Sequence, residues 1–273
     1  MYDLIIRNAR VVDGTGAPWY RADVAIEGGK IAAIGKLSGA ARKTVDAEDH
    51  YLAPGFIDIH SHSDDSILQC PSAESRILQG VTTEIAGNCG ASVGPAPEGK
   101  ENGWPSMAAF LEAVEKAEPS VNLGMLVGHG AVRACAMGYG AEKPTEAQLQ
   151  RMRELVKEAM EAGAFGISSG LIYPPSSYAD TEELIEVAKV VAPYGGYYAT
   201  HMRGEGKTVV QATEEALRIA REAGVALQIS HHKVTYKPDW QVSCFMTTAM
   251  IARARRQGQD VMCDQYPYRA SAT

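Results

Sequence analysis

The segment Phe56-Ile57-Asp58-Ile59-His60-Ser61-His62 places two imidazoles one residue apart at the end of an apolar run. In an extended strand, residues two apart face the same side, so His60 and His62 would present both rings to one space. Three further metal-type donors close later apolar runs. These are Cys89 in Gly87-Asn88-Cys89-Gly90, His201 in Ala199-Thr200-His201-Met202-Arg203, and His231 in Ile229-Ser230-His231-His232-Lys233. Singly, each has an ordinary reading: a surface histidine pair, a buried cysteine as small apolar filler, a histidine satisfied by backbone. Jointly they fall at the carboxyl ends of the first, second, fifth and sixth strands, the face on which barrel enzymes build their active sites. A thiolate with several imidazoles suits zinc, whereas magnesium seeks oxygen.

These donors need strands to carry them. From Pro54-Gly55 onward, short apolar runs alternate with helical patterns, the signature of βαβ units. The expected strands cover residues 56–60, 81–86, 122–127, 165–168, 196–201, 225–231 and 261–266. Leu149, Met152, Val156 and Met160 recur at helical spacing within an expected helix over 145–162. Asp180 with Glu183 marks the start of another, ending near Pro193. Further helices are expected over 205–223 and 242–256. Seven strands are one fewer than close an eight-stranded barrel. Before residue 55 the pattern is all-β: a strand over 4–12, a turn at Asp13-Gly14-Thr15-Gly16, and a hairpin around Glu27-Gly28-Gly29-Lys30.

The chain's 273 residues, 45% hydrophobic and 22% charged, describe an ordinary globular protein. Its net charge of −7 argues against a nucleic-acid partner. No stretch reaches the ~20 apolar residues that cross a bilayer, so no membrane partner is expected. Met1-Tyr2-Asp3-Leu4-Ile5-Ile6 reads as a strand, not a signal peptide. Five cysteines without close pairs make a disulfide framework unexpected, and a reducing cytoplasm is the default location.

Together, His60-Ser61-His62, His201 and His231 resemble the amidohydrolase superfamily. Gly80-Val81-Thr82-Thr83-Glu84, Gly87-Asn88-Cys89-Gly90, Gly170-Leu171-Ile172-Tyr173-Pro174-Pro175, Ser230-His231-His232-Lys233 and Asp264-Gln265-Tyr266-Pro267-Tyr268 resemble its N-acyl-D-amino-acid deacylase (D-aminoacylase) branch. The resemblance implies an α/β fold: a TIM-like (β/α)8 barrel with its last strand missing from this chain, beside a small N-terminal β domain. The expected boundaries are 1–54 for the β domain and 55–273 for the barrel, incomplete at its C-terminal side. It also implies that Cys89, His201 and His231 hold a tight zinc ion. His60 and His62 would contribute to a second, weaker position, completed by an aspartate on the eighth strand. Geometry alone does not choose between His231 and His232; the family match selects His231.

The implied reaction is zinc-dependent hydrolysis of an N-acyl-D-amino acid to a carboxylate and a D-amino acid. In the branch the eighth-strand aspartate is the general base, so no catalytic base is expected among these residues. Asp64 and Asp65 read as loop-capping side chains, and Asp264 has no role that the resemblance assigns. Lys233 and Tyr266 resemble the family's anchor for the substrate α-carboxylate; the plain alternatives are a solvated lysine and a packed aromatic ring. His129 is expected to be a hydrogen-bonded structural histidine, and Ser168, Ser169 and Tyr173 to shape the pocket wall. A small-molecule N-acyl amino acid is the expected partner, with the oligomeric state open. Two other readings stand beside this one. A cyclic-amide hydrolase of the dihydroorotase or hydantoinase kind needs a lysine on the fourth barrel strand, where Phe165-Gly166-Ile167-Ser168 has none. A non-catalytic metal-binding fragment would lack the eighth-strand aspartate.

Overall fold

The computed structural model describes residues 1–100 and 103–270, and it separates into two compact units, Met1–Phe56 and Ile57–Thr273. In the first, β1 (Tyr2–Val11), β2 (Tyr20–Glu27), β3 (Lys30–Gly35) and β4 (Ala41–Asp46) form one sheet in the order β3-β2-β1-β4, and β5 (Tyr51–Leu52) also pairs with β1. The expected hairpin is β2–β3, turned by Gly28 and Gly29 at φ of 57° and 74°, backbone that favours glycine. β4 and β5 run parallel to β1. Ala9, Val11 and Val24 make its small core.

The second unit is wound from β6 (Phe56–Asp58), β7 (Val81–Ala86), β8 (Asn122–Gly128), β9 (Gly166–Gly170), β10 (Tyr197–His201), β11 (Ala226–Ile229) and β12 (Val261–Cys263). Each strand neighbours the next in sequence, and the registered pairs from β7 to β12 are parallel. This is the winding of the expected TIM-like barrel, with seven strands among the described residues. The connecting helices are α1 (Glu74–Ile77), α2 (Met107–Ala117), α3 (His129–Met137), α4 (Glu146–Glu161), α5 (Thr181–Ala188), α6 (Val209–Ala223) and α7 (Trp240–Arg256). α4 starts where Thr145 and Gln148 cap one another, and it buries Met152, Leu155, Val156, Ala159 and Met160. Asp180 caps α5 by accepting from the Glu183 amide. One apolar core joins these helices to Val127, Ile167, Leu227, Ile229 and Val261 on the strands.

α2 and α3 were not among the expected helices. α3 follows β8 with no turn between, and its first residue, His129, is fully buried. His129 lies 2.8 Å from Ser176 Oγ and 3.1 Å from Glu183 Oε1, and buried Arg133 donates to the same carboxylate at 3.0 Å. This bonded network ties α3 to α5, a structural role as expected for His129.

Three strands end earlier than their sequence suggests: β12 stops at Cys263, and the other two carry site residues. β6 stops at Asp58, whose carboxylate accepts from the His60 amide at 3.1 Å and draws the chain out of the ladder. β11 stops at Ile229, and His231 has φ of 38°. His60, His62 and His231 therefore lie just past strand ends, and strand alternation does not govern where they point.

Candidate metal centre

The cysteine is placed by the loop that leaves β7. Gly87 and Gly90 both have positive φ, and a Cβ would meet Leu126 O at 2.0 Å or Gly170 N at 2.5 Å respectively. Between them buried Asn88 donates to Ile85 O at 2.9 Å. Ser168 on β9 clasps the loop from the far side, accepting from Gly90 N at 3.0 Å and donating to Gly87 O at 2.5 Å. The Asp64 carboxylate accepts from Gly87 N and Val93 N at 3.4 and 3.3 Å, the capping role expected of it. Cys89 is left at φ of 55°, a strained value for a residue with a side chain.

The histidines approach from three other strand ends. Ser61 anchors the His-Ser-His segment, its amide donating to Ile85 O and its hydroxyl to the buried Glu84 carboxylate, both at 2.9 Å. His60 then turns inward, whereas His62 is exposed with its ring 5.4 Å from that of His60. His201 is the last residue of β10. Cys89 Sγ lies 3.6 Å from His60 Nε2, 3.9 Å from His201 Nδ1 and 3.6 Å from His231 Nε2. His232 faces away, bonded to Thr247 Oγ1 of α7 at 3.0 Å.

These separations suit a tetrahedral cation. A sulfur at about 2.3 Å and a nitrogen at about 2.0–2.1 Å from one zinc are roughly 3.6 Å apart. His60, Cys89 and His231 offer donor atoms all within 4.8 Å of one another, as do His201, Glu205 and His231. The compact trio thus shares two members with the trio the resemblance implied; His201 reaches the sulfur from the side, and His62 stands outside both groups. His60 Nδ1 and His201 Nε2 are buried without hydrogen-bond partners, the kind of orphaned atom that a polar or charged ligand site retains.

The electrostatics ready the imidazoles and hold back the thiol. Burial lowers the His60 pKa to about 4, partly opposed by Asp264. Burial likewise lowers that of His201 to about 4, against the pull of Glu205. Both rings are therefore neutral at pH 7, the form that ligates metal. Burial, with Asp264 and Glu205 nearby, pushes the Cys89 thiol up to about 12. With a divalent cation bound among these rings, Cys89 would ligate as the thiolate despite this burial.

The Lys233 ammonium lies 5.7 Å from the centre of the Tyr266 ring. Lys233 is not free, however: it donates to Glu205 Oε1 at 2.6 Å and to His231 O at 3.1 Å. Glu205 was missed in the sequence, lying in the loop between β10 and α6 within an over-long expected helix. Its carboxylate is pushed up by burial, but bonds from His231 and Lys233 prevail and bring it to about 2. Asp264 also has a role the sequence did not show. It accepts from the His231 amide at 2.6 Å and from Gln228 Nε2 at 2.7 Å, fixing the end of β11. Tyr173 lines the site with its ring 5.1 Å from that of His201.

A model of the Amidohydrolase family matches residues 43–261. The chain is similar to the D-aminoacylase of Alcaligenes xylosoxydans xylosoxydans, 42% identical over 285 residues that cover 100% of this chain and 58% of the relative. A solved D-aminoacylase structure superposes with a TM-score of 0.93 at 41% identity, over 98% of this chain and 59% of that one. The N-acyl-D-glutamate deacylase of Bordetella bronchiseptica, solved with zinc and a phosphonate mimic of the tetrahedral intermediate, gives 0.92 at 38% identity over the same shares. The chain thus spans about 58% of the length of this curated relative. On its donor set, its winding and these likenesses, the chain belongs to the amidohydrolase family.

Proposed function

We propose that the protein carrying this chain is a zinc-dependent deacylase of N-acyl-D-amino acids. The observation that carries the reading is the single sulfur, Cys89 Sγ, within 3.6–3.9 Å of imidazole nitrogens from three separate strand ends. Zinc held there would supply a Lewis acid that activates water near neutral pH and polarises an amide carbonyl. Cys89, His201 and His231 hold the tight position in this reading, and His60 and His62 line the weaker one. Lys233 supplies the charge that receives a substrate carboxylate, with Tyr266 beside it and Tyr173 walling the pocket.

Within these residues the nearest carboxylates are both engaged. Glu205 is bonded to Lys233 and His231, and Asp264 to the His231 amide and Gln228. Neither is placed to take a proton from water, so the general base in this reading is an aspartate outside the 273 residues. β9 reads Gly166-Ile167-Ser168-Ser169-Gly170 and offers no lysine for a cyclic-amide hydrolase. The five free cysteines fit a reducing cytoplasm, and among the described residues no helix is long and apolar enough to cross a membrane.

The test is an assay of the full-length protein against N-acetyl-D-amino acids, their L enantiomers and a hydantoin, before and after chelation. The reading expects D-selective hydrolysis, lost on chelation and restored by zinc. Hydantoin opening without deacylation, or activity indifferent to chelator, would overturn it.

A further inference from the structure

Glu205 stands where three demands of the site meet. Its Oε1 lies 2.9 Å from His231 Nδ1, 2.6 Å from Lys233 Nζ and 3.8 Å from His201 Nε2. The side chain is 12% exposed, so these contacts are little screened by water. Its main-chain carbonyl accepts from Thr235 N at 2.7 Å and Thr235 Oγ1 at 3.1 Å, which fixes the loop against the segment after Lys233.

His231 presents Nε2 to Cys89 Sγ. An imidazole that gives its Nε2 lone pair to a cation carries its proton on Nδ1, and that N–H needs an acceptor. Lys233 Nζ, 3.1 Å from Nδ1, is itself a donor and cannot serve. Of the two neighbours of Nδ1, Glu205 Oε1, an ion-pair contact at 2.9 Å, is the one able to accept that proton's bond. The same contacts decide what the His201–Glu205–His231 group is. An ammonium already sits 2.6 Å from its carboxylate oxygen, so a divalent ion there would face that charge; Lys233 is the cation of this group.

We propose that Glu205 is a positioning residue: it holds His231 in the tautomer that faces the metal and keeps the Lys233 ammonium at the mouth of the site. The inference rests on the zinc reading above. It makes one carboxylate serve both metal retention and the placement of the substrate-facing charge.

The experiment strips the full-length protein of metal and titrates zinc against a competing chelator for the parental protein, Glu205→Ala, Glu205→Gln and Thr235→Val. Glu205→Ala should weaken zinc about 10–100-fold. Glu205→Gln should recover part of that loss, because its amide oxygen still accepts from Nδ1–H. Thr235→Val should bind zinc within about threefold of the parent, since it leaves the carboxylate and the bond from Thr235 N to Glu205 O in place. The ¹⁵N shift of His231 Nδ1 should read as protonated in the parent and as mixed in Glu205→Ala. Parental zinc affinity in Glu205→Ala would overturn the inference, as would an equal loss in Thr235→Val, which would assign the effect to loop packing. A parental protein that binds no zinc would overturn the zinc reading itself, a result that needs no substitution to recognise.

Discussion

Replacing Ser168 by alanine removes one buried hydroxyl that clasps the cysteine loop at both shoulders. The hydroxyl accepts from Gly90 N and donates to Gly87 O, and Ser168 is fully buried. Alanine fills nearly the same space, so the change leaves an amide and a carbonyl unpartnered with little new cavity. At roughly 1–2 kcal/mol for each orphaned group, the cost is about 2–4 kcal/mol. For a unit of this size that corresponds to a fall of roughly 5–15 °C in Tm. Because the loop carries Cys89, zinc affinity should fall as well. Ser169→Ala provides the comparison. Ser169 Oγ lies 2.6 Å from Tyr198 OH and 2.8 Å from Thr200 Oγ1 and makes no bond to the loop. It should lower Tm without changing zinc affinity. Calorimetric melts with chelator-competition titrations on both variants provide the readout. A Ser168→Ala protein that melts and binds zinc like the parent would refute the clasp, as would equal zinc loss in the two variants.

Cys89→Ala should lose most of its zinc, because the sulfur is the donor common to all three imidazoles; metal analysis of the purified variant checks this, and stoichiometric zinc would contradict it. Lys233→Ala should raise KM for an N-acyl-D-amino acid about 10–100-fold with kcat little changed, as expected when a charge-assisted bond to the substrate carboxylate is lost equally in ground and transition states. A large fall in kcat at constant KM would show a chemical role instead. Arg133→Met strips the buried Glu183 carboxylate of its guanidinium partner. Urea unfolding should show a loss of about 3–5 kcal/mol, and parental stability would refute the network between α3 and α5.

The donors were legible because their residue types are scarce and their positions repeat at strand ends. Cys89 could be seen because it follows an apolar run, within Gly87-Asn88-Cys89-Gly90, and the structure shows that both glycines are required by close backbone approach. The reason first given for His60 and His62 fails, since strand alternation stops at Asp58, yet the two rings still lie 5.4 Å apart, His60 half-buried and His62 exposed. Glu205 and Asp264 were hidden for a shared reason. Each acts through a loop conformation that brings it to His231 from 26 and 33 residues away, and no local pattern encodes such a contact. The start of α2 had a signal that went unused: Ser106 caps it by accepting from Ala109 N. α3 had none, because Gly128-His129-Gly130 reads as a turn while packing makes it a helix. Of the parallel pairing of β4 with β1 there was also no trace, as β4 is exposed along nearly its whole length and shows no alternation.

The proposed centre is defined by the atoms that would surround a bound zinc ion. X-ray absorption at the zinc edge of the metal-loaded protein measures this directly. One sulfur at about 2.3 Å with nitrogen or oxygen neighbours at about 2.0–2.2 Å is the predicted result, and the sulfur shell should vanish in Cys89→Ala. A shell of nitrogen and oxygen alone in the parental protein would contradict the assignment of Cys89, and with it the proposed centre.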